Sequence, residues 1–219
     1  MSDNPEAVIH HWRIETWFPD IDPGLLSCFK IYNEELVKFN KTLTLVSAKS
    51  IPVADVIHFS DSILASRVIA RSTVKFLDIY DLGSGNGFPG LVFGLMNPNV
   101  KVHLVEMDQK KCEFLRHVIA ATKAVNVDVL CTRIESLKEG SVTHAMVRGL
   151  SSISKVLLQT RKIVSKGGVI FHLKGEEWGM EVGEIPIQLC SSWAPALLGE
   201  YRLPIGEVRF SIIKTDKIS

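Results

Sequence analysis

Long apolar stretches are missing from this chain. Its longest apolar-rich runs, such as Ile63 to Ala70 and Val142 to Val147, fall far short of the roughly 20 residues that cross a bilayer, which excludes a helical membrane span. Met1 to Ala7 contains no basic segment leading into an apolar one, so no leader is expected there, and the expectation is a cytoplasmic protein with no membrane association. Cysteine is sparse. Cys28, Cys112, Cys131 and Cys190 are widely separated and make no C-x-x-C pair, which argues against a disulfide framework and against a zinc site. An excess of one charge is also lacking: 25 Lys and Arg stand against 24 Asp and Glu, a formal net charge of +1. No overall field draws the chain onto a polyanion, and a nucleic acid would have to be met by a local basic face. There is no internal repeat and no low-complexity segment, and nothing marks an obligate protein partner.

What is present is a globular composition. With 219 residues, 46% of them apolar and 22% charged, the chain can bury one substantial core, with room for a small appendage. The first third reads as helical. Asp22 and Pro23 suit a helix cap and first turn, and Leu25, Phe29, Tyr32, Leu36 and Phe39 then recur at helical spacing. A second helix is expected from near Pro52 to Ala70. From Val74 the pattern changes to short apolar runs alternating with amphipathic segments. Strands are expected at Phe76 to Tyr80, Val100 to Val105, Val127 to Cys131, His144 to Val147 and Val169 to Leu173. Helices are expected from Pro89, Asp108 and Ser152, with a short turn near Glu135. Strand and crossover in alternation imply right-handed parallel pairing in an α/β, doubly wound sheet. Ile187 to Ser192 and Val208 to Lys214 are expected as two late strands forming an antiparallel edge. The division expected is a helical extension over 1–72 and a ligand-binding core over 73–219.

The ten residues "DLGSGNGFPG", Asp81 to Gly90, follow the first expected strand, where the ligand of an open parallel sheet rests. Gly83, Gly85, Gly87 and Gly90 allow main chain to approach a ligand closely, and Pro89 suits a first helical turn. Gly85, Gly87 and Gly90 also satisfy G-x-G-x-x-G, so a dinucleotide has to be weighed. A pyrophosphate at the helix start would find Asp81 an unfavourable neighbour, whereas the sulfonium and ammonium of S-adenosylmethionine would be favoured by it. Glu106, at the end of the next strand, suits both ribose hydroxyls of an adenosine and does not discriminate between the two cofactors. The structural alternatives are that Asp81 only supports the loop and that Glu106 or Asp108 only caps the helix from Gln109.

Taken in order, "DLGSGNGFPG", "VHLVEMDQKKCEFLRHV", "CTRIESL", "HAMVRGLSS" and "FHLKG", preceded by "NKTLTLVSAKS" and "HFSDS", resemble the glucose-inhibited division protein B family of small-subunit ribosomal RNA (guanine-N7)-methyltransferases. The resemblance runs from about Asn33 to the C-terminus. It implies a class I methyltransferase-like, Rossmann-like fold with a helical N-terminal extension, S-adenosyl-L-methionine as cofactor, and a guanine in the decoding-region loop of 16S ribosomal RNA as acceptor. It further implies that Gly83 and Phe88 line the cofactor, that Ile134 and Glu135 flank its adenine, and that Arg148 reaches the site from the fourth strand. The family often carries Arg ahead of the His of its H-x-x-D-S segment; this chain has Ile57 there, so the resemblance does not extend to an RNA contact from that position, while what it implies for cofactor binding stands.

Guanine N7 carries an in-plane lone pair, so its methylation requires alignment and no general base. Arg148 is the leading candidate beside the reaction: its planar fork suits a cofactor carboxylate, guanine O6 or a phosphate, against the plain alternative of a surface Arg at a strand end. His58 and Asp61, three apart, are expected as a helix-packing His and a solvated Asp. No partnered acids make a metal cage of His10 and His11. Lys110 and Lys111 are expected to be solvated, Lys155, Arg161, Lys162 and Lys166 to form an outer helix face, and Trp12, Trp17, Trp178 and Trp193 to pack. Two other readings stay open: a small-molecule methyltransferase or NAD(P)-binding oxidoreductase sharing the loop, and a non-catalytic RNA-binding module.

Overall fold

A computed structural model describes residues 11–219; the expectations attached to Met1 to Ala7 and to His10 lie outside them. The strands are β1 (Asp78–Leu82), β2 (Lys101–Glu106), β3 (Val127–Cys131), β4 (Val142–Arg148), β5 (Val164–Lys174), β6 (Trp193–Arg202) and β7 (Arg209–Lys217). They form one sheet in the order β3-β2-β1-β4-β5-β7-β6. Strands β1 to β5 pair in parallel, and β7 runs antiparallel to both β5 and β6. The helices are α1 (Ile14–Trp17), α2 (Pro23–Phe39), α3 (Asp61–Ala70), α4 (Gly90–Met96), α5 (Gln109–Thr122), α6 (Ile153–Thr160), α7 (Trp178–Gly183) and α8 (Ile187–Cys190). None of the described helices is long and apolar enough to cross a membrane.

Side chains alternate between two cores because successive residues of a strand face opposite sides. Ile79, Val102, Leu104, Met146 and Phe171 point to one core, shared with Phe29, Tyr32, Ile63 and Phe114 of the helices. Leu82, Val105, Ala145, Val147 and Ile170 point to the other, covered by Ile153, Val156 and Leu157 of α6. The helices ahead of residue 72 therefore close one face of the sheet. Helix α2 starts as its sequence indicates: Asp22 accepts from Gly24 N at 2.8 Å and Leu25 N at 3.3 Å, and Pro23 occupies the first turn. Its buried stripe is Phe29, Tyr32 and Leu36. Asp108 caps α5 through Lys110 N and Lys111 N.

Three elements differ from expectation. The segment from Pro52 to Ala70 is no continuous α-helix: a 3₁₀ turn (Ile51–Val53) and a π turn (Asp55–Ser60) precede α3. The wide turn is tied locally, since Ser60 Oγ donates to Asp55 O and the buried Asp55 carboxylate takes both Arg13 Nε and Nη2. Strand β1 lies two residues later than Phe76 to Tyr80, because Phe76 instead packs among Phe93, His144 and Phe171. Ile187 to Ser192 is not a strand. Leu189 N and Cys190 N fold back onto Pro186 O to make a helical turn, and the edge strand begins at Trp193, where pairing with Lys217 becomes available. The antiparallel edge itself is present, built from β6 and β7.

Candidate active site

Two of the hollows lie at opposite ends of the parallel strands. The larger of these two, about 620 Å³, lies at the amino ends of β1 and β4 and is walled mainly by apolar side chains including Val74, Phe76 and Phe93. The smaller, about 330 Å³, opens beyond the carboxyl ends of β1, β2 and β4. The strand order places it at a switch point, because the chain leaves β1 for β2 on one side and later returns as β4 on the other. Ligands of open α/β sheets bind at such a point, and Glu106, Lys111, Glu135 and Arg148 converge on this crevice, so location and chemistry favour it over volume. Its walls include Gly83, Gly85, Glu106, Ile134, Glu135 and Arg148.

The glycine loop is pinned from below and behind. Gly83 N and Ser84 N donate to Val105 O at 2.9 and 3.0 Å, which fixes the loop to β2. Glu106 turns its carboxylate to the same backbone: Oε2 accepts from Gly85 N at 2.8 Å, and Oε1 accepts from Met107 N and Asp108 N at 2.9 and 2.8 Å. It still lines the crevice, with one lone pair to spare on Oε2. Gly90 has to be bare, since a Cβ there would stand 2.5 Å from Asp81 Oδ2 and from Leu104 Cδ2. Gly87 has φ +98° and faces Tyr32 Oη, so both its conformation and its space demand glycine.

Asp81 and Phe88 do not line the crevice. The Asp81 carboxylate is buried beneath the loop, where Oδ2 accepts from Gly90 N at 3.1 Å. Burial pushes its carboxyl up to about 7, against the opposing pull of Gly90 N–H, Ser84 and the Arg148 charge. At this position the carboxyl supports the loop from behind and does not face into the crevice. Phe88 is the middle layer of a stack, with Tyr32 at 4.7 Å and His58 at 5.1 Å between ring centroids. Ile134 forms a buried apolar wall in a short 3₁₀ turn, and the exposed Glu135 accepts from Gln159 Nε2 at 2.8 Å. Lys111, expected to be solvated, also lines the crevice.

Arg148 ends β4 and turns its guanidinium toward the segment just ahead of α3. Nη2 lies 3.0 Å from both Ile57 O and His58 Nδ1, and Nη1 lies 2.9 Å from Asp61 Oδ2. The Asp61 contact is an ion pair without hydrogen-bond alignment, leaving Nη1 buried and without a hydrogen-bond partner. Arg only donates, so His58 accepts at Nδ1 and its neutral ring carries the proton on Nε2. Burial first, and the Arg148 charge second, hold the imidazole down at about 3, which keeps it neutral throughout the physiological range. Asp61 is buried, not solvated as expected; its Oδ1 accepts from Tyr201 Oη at 2.7 Å. The spacing of His58 and Asp61 was a visible signal of shared placement. Nothing in the sequence near residue 201 connects Tyr201 to this cluster. Among the described residues, no group of three His, Cys, Asp or Glu is placed to hold a metal.

The crevice fits S-adenosylmethionine in size and in donor set: bare main chain at Gly83 and Gly85, acceptors at Glu106 and an apolar wall at Ile134. Known proteins agree. A family model described as GidB, rRNA small subunit methyltransferase G, matches residues 26–193. Ribosomal RNA small subunit methyltransferase G 3 of Bdellovibrio bacteriovorus is 58% identical over 221 residues, covering 100% of both chains. Ribosomal RNA small subunit methyltransferase G of Syntrophomonas wolfei is 33% identical over 162 residues, covering 70% of this chain and 72% of the relative. Among solved structures, a predicted O-methyltransferase from Agrobacterium tumefaciens superposes with a TM-score of 0.54 at 18% identity, covering 73% of this chain and 81% of that one. TYW2 of Pyrococcus horikoshii, in complex with MeSAdo, gives 0.56 at 13% identity, covering 76% of this chain and 66% of that one. These two likenesses concern the fold. Motif order, family match and full-length relatives together place the chain in the GidB family, as an S-adenosylmethionine-dependent rRNA methyltransferase of class I fold.

Proposed function

We propose that the acceptor is N7 of a guanine in 16S ribosomal RNA. The observation that carries this reading is the engagement of Glu106 in the crevice and of His58 beside its Arg148 wall. Glu106 is held by three backbone N–H donors, and the neutral His58, which does not itself line the crevice, accepts from Arg148, so neither is arranged as a base for a bound acceptor. Guanine N7 already offers a lone pair, and its methylation needs in-line placement with no prior proton removal. The cofactor supplies an electrophilic methyl on a cationic sulfur. Glu106 binds hydroxyls at one end of the crevice, Ile134 and Glu135 border a flat apolar group, and Gly83 and Gly85 let main chain approach closely. Asp81 and Phe88 serve the cofactor by holding that loop. Arg148 stands at the wall beside the acceptor; its Nη atoms are turned to Ile57, His58 and Asp61, so it acts on O6 or a carboxylate through its charge.

The near-neutral charge, +1 over the whole chain, supports an RNA partner presented within the assembled small subunit more than free RNA. The test is methyl transfer from labelled S-adenosylmethionine to naked 16S RNA and to small subunits, both taken from cells lacking the modification. Nucleoside analysis should show 7-methylguanosine, with faster transfer to subunits. Transfer to another atom would overturn the acceptor, and equal rates on both substrates would overturn the preference for subunits.

A further inference from the structure

Arg148 lies at the crevice wall, yet no residue of its own strand holds its guanidinium. Asp61, the first residue of α3, provides the countercharge at 2.9 Å. Asp61 is itself only 3% exposed, and a carboxylate that deeply buried remains ionised only with good partners. Its second partner is 140 positions away. Tyr201, on the outermost strand β6, donates its hydroxyl to Asp61 Oδ1 at 2.7 Å. The Tyr201 ring is 8% exposed and stacks on Phe210 of β7, its cross-strand neighbour, with ring centroids 5.8 Å apart. A buried phenol packed in this way has one orientation, so the direction of the carboxylate is set from the sheet edge. The remaining contacts, Ile57 O and His58 Nδ1 to Arg148 Nη2, both come from the π turn. The guanidinium is thus held by groups on two elements that do not line the crevice.

We infer that Asp61 and Tyr201 are positioning residues that act through Arg148: the C-terminal β6–β7 hairpin orients the guanidinium through the line Tyr201 Oη, Asp61 carboxylate, Arg148. The inference rests on the reading that Arg148 serves the crevice. It gives the antiparallel edge a part in the reaction that its distance in sequence conceals. Loss of the phenol hydroxyl frees the carboxylate to turn, and the guanidinium follows it.

The test compares the full-length wild-type protein with Tyr201→Phe, Arg148→Lys and the double variant. Tyr201→Phe removes one hydrogen bond to a charged group and leaves the ring stack intact, so a loss of about tenfold in kcat/KM is expected with the fold retained in thermal melts. The constant that changes, kcat or the KM for S-adenosylmethionine, should be the same one that Arg148→Lys changes. The double variant should be no worse than Arg148→Lys alone, as befits residues acting in series. Independently of turnover, nitrogen-15 NMR of the protein without cofactor should show slow rotation of the Arg148 guanidinium in wild type and faster rotation in Tyr201→Phe. Additive losses, a change in the other constant, or an unaltered guanidinium would overturn the inference. Should Arg148→Lys keep full activity, the role of Arg148 fails instead, and the NMR comparison still decides whether Tyr201 holds it. Asp61→Asn is a second probe; if that variant does not fold, Tyr201→Phe carries the test alone.

Discussion

Tyr32 and Phe88 lie face to face, their ring centroids 4.7 Å apart and their planes within 11° of parallel. One belongs to the helical extension and the other to the cofactor loop. Tyr32 Oη also donates to Asn86 O at 2.5 Å, and Asn86 Nδ2 donates to Leu45 O at 3.3 Å. The extension therefore grips the loop by stacking on Phe88 and by hydrogen bonds to the main-chain oxygen and the side-chain amide of Asn86. This makes the helices ahead of residue 72 a support of the glycine loop that walls the crevice.

Phe88→Ala should destabilise the protein by about 3–5 kcal/mol, the usual range for emptying a buried aromatic position. Tyr32→Phe should cost about 1 kcal/mol, the worth of one hydrogen bond, and should weaken S-adenosylhomocysteine binding beyond what that stability change explains. Urea denaturation and isothermal titration read the two effects. Unchanged affinity in Tyr32→Phe would show that the grip does not shape the loop.

Asp81 makes stability depend on pH. Its carboxyl titrates at about 7 in the folded chain, and burial is the main cause. An unfolded Asp titrates near pH 3.9, so between those values the folded state holds the extra proton. Stability then falls as pH rises from about 4 to about 7, and is lower by the full amount above that range. Asp81→Asn keeps an oxygen for Gly90 N–H and removes the ionisation. The variant should gain on the wild type as pH rises, with most of the difference appearing between pH 4 and 7. Parallel melting profiles across that range would contradict the assignment.

Glu106 offers two oxygens to three backbone donors. Glu106→Gln leaves a single acceptor, so Gly85 N or the Met107 and Asp108 pair loses its partner, and the new amide group points N–H at N–H. A loss of tenfold or more in S-adenosylhomocysteine affinity is expected, because one unsatisfied buried donor costs about 1–3 kcal/mol. Asp108→Ala removes only the α5 cap and should leave affinity close to wild type. Equal losses in both variants would reduce Glu106 to a cap.

The parts of the fold that were legible in the chain were those determined locally. Asp22 and Pro23 start a helix because a carboxylate and a fixed φ satisfy needs within one turn. Val127 to Cys131 is a strand with its expected bounds. The turn at Ile187 misled because a short apolar run suits a strand or a turn equally until its neighbours are known. In the site, the crevice walls at Gly83, Gly85, Glu106, Ile134, Glu135 and Arg148 were all named from motif position. The direction in which each side chain points was not.

The sequence alone determined the alternation of the five parallel strands with their crossovers, the bare loop after the first strand, and the family to which these motifs belong. These follow from spacing of a few residues, where period, turn chemistry and capping act. Only the tertiary structure decided that Asp81 faces backward to Gly90, that Phe88 is clasped by Tyr32 and His58, and that Asp61 and Tyr201 meet Arg148. Those contacts join residues separated by up to 140 positions, and they exist because a buried charge must find its partners wherever packing brings them.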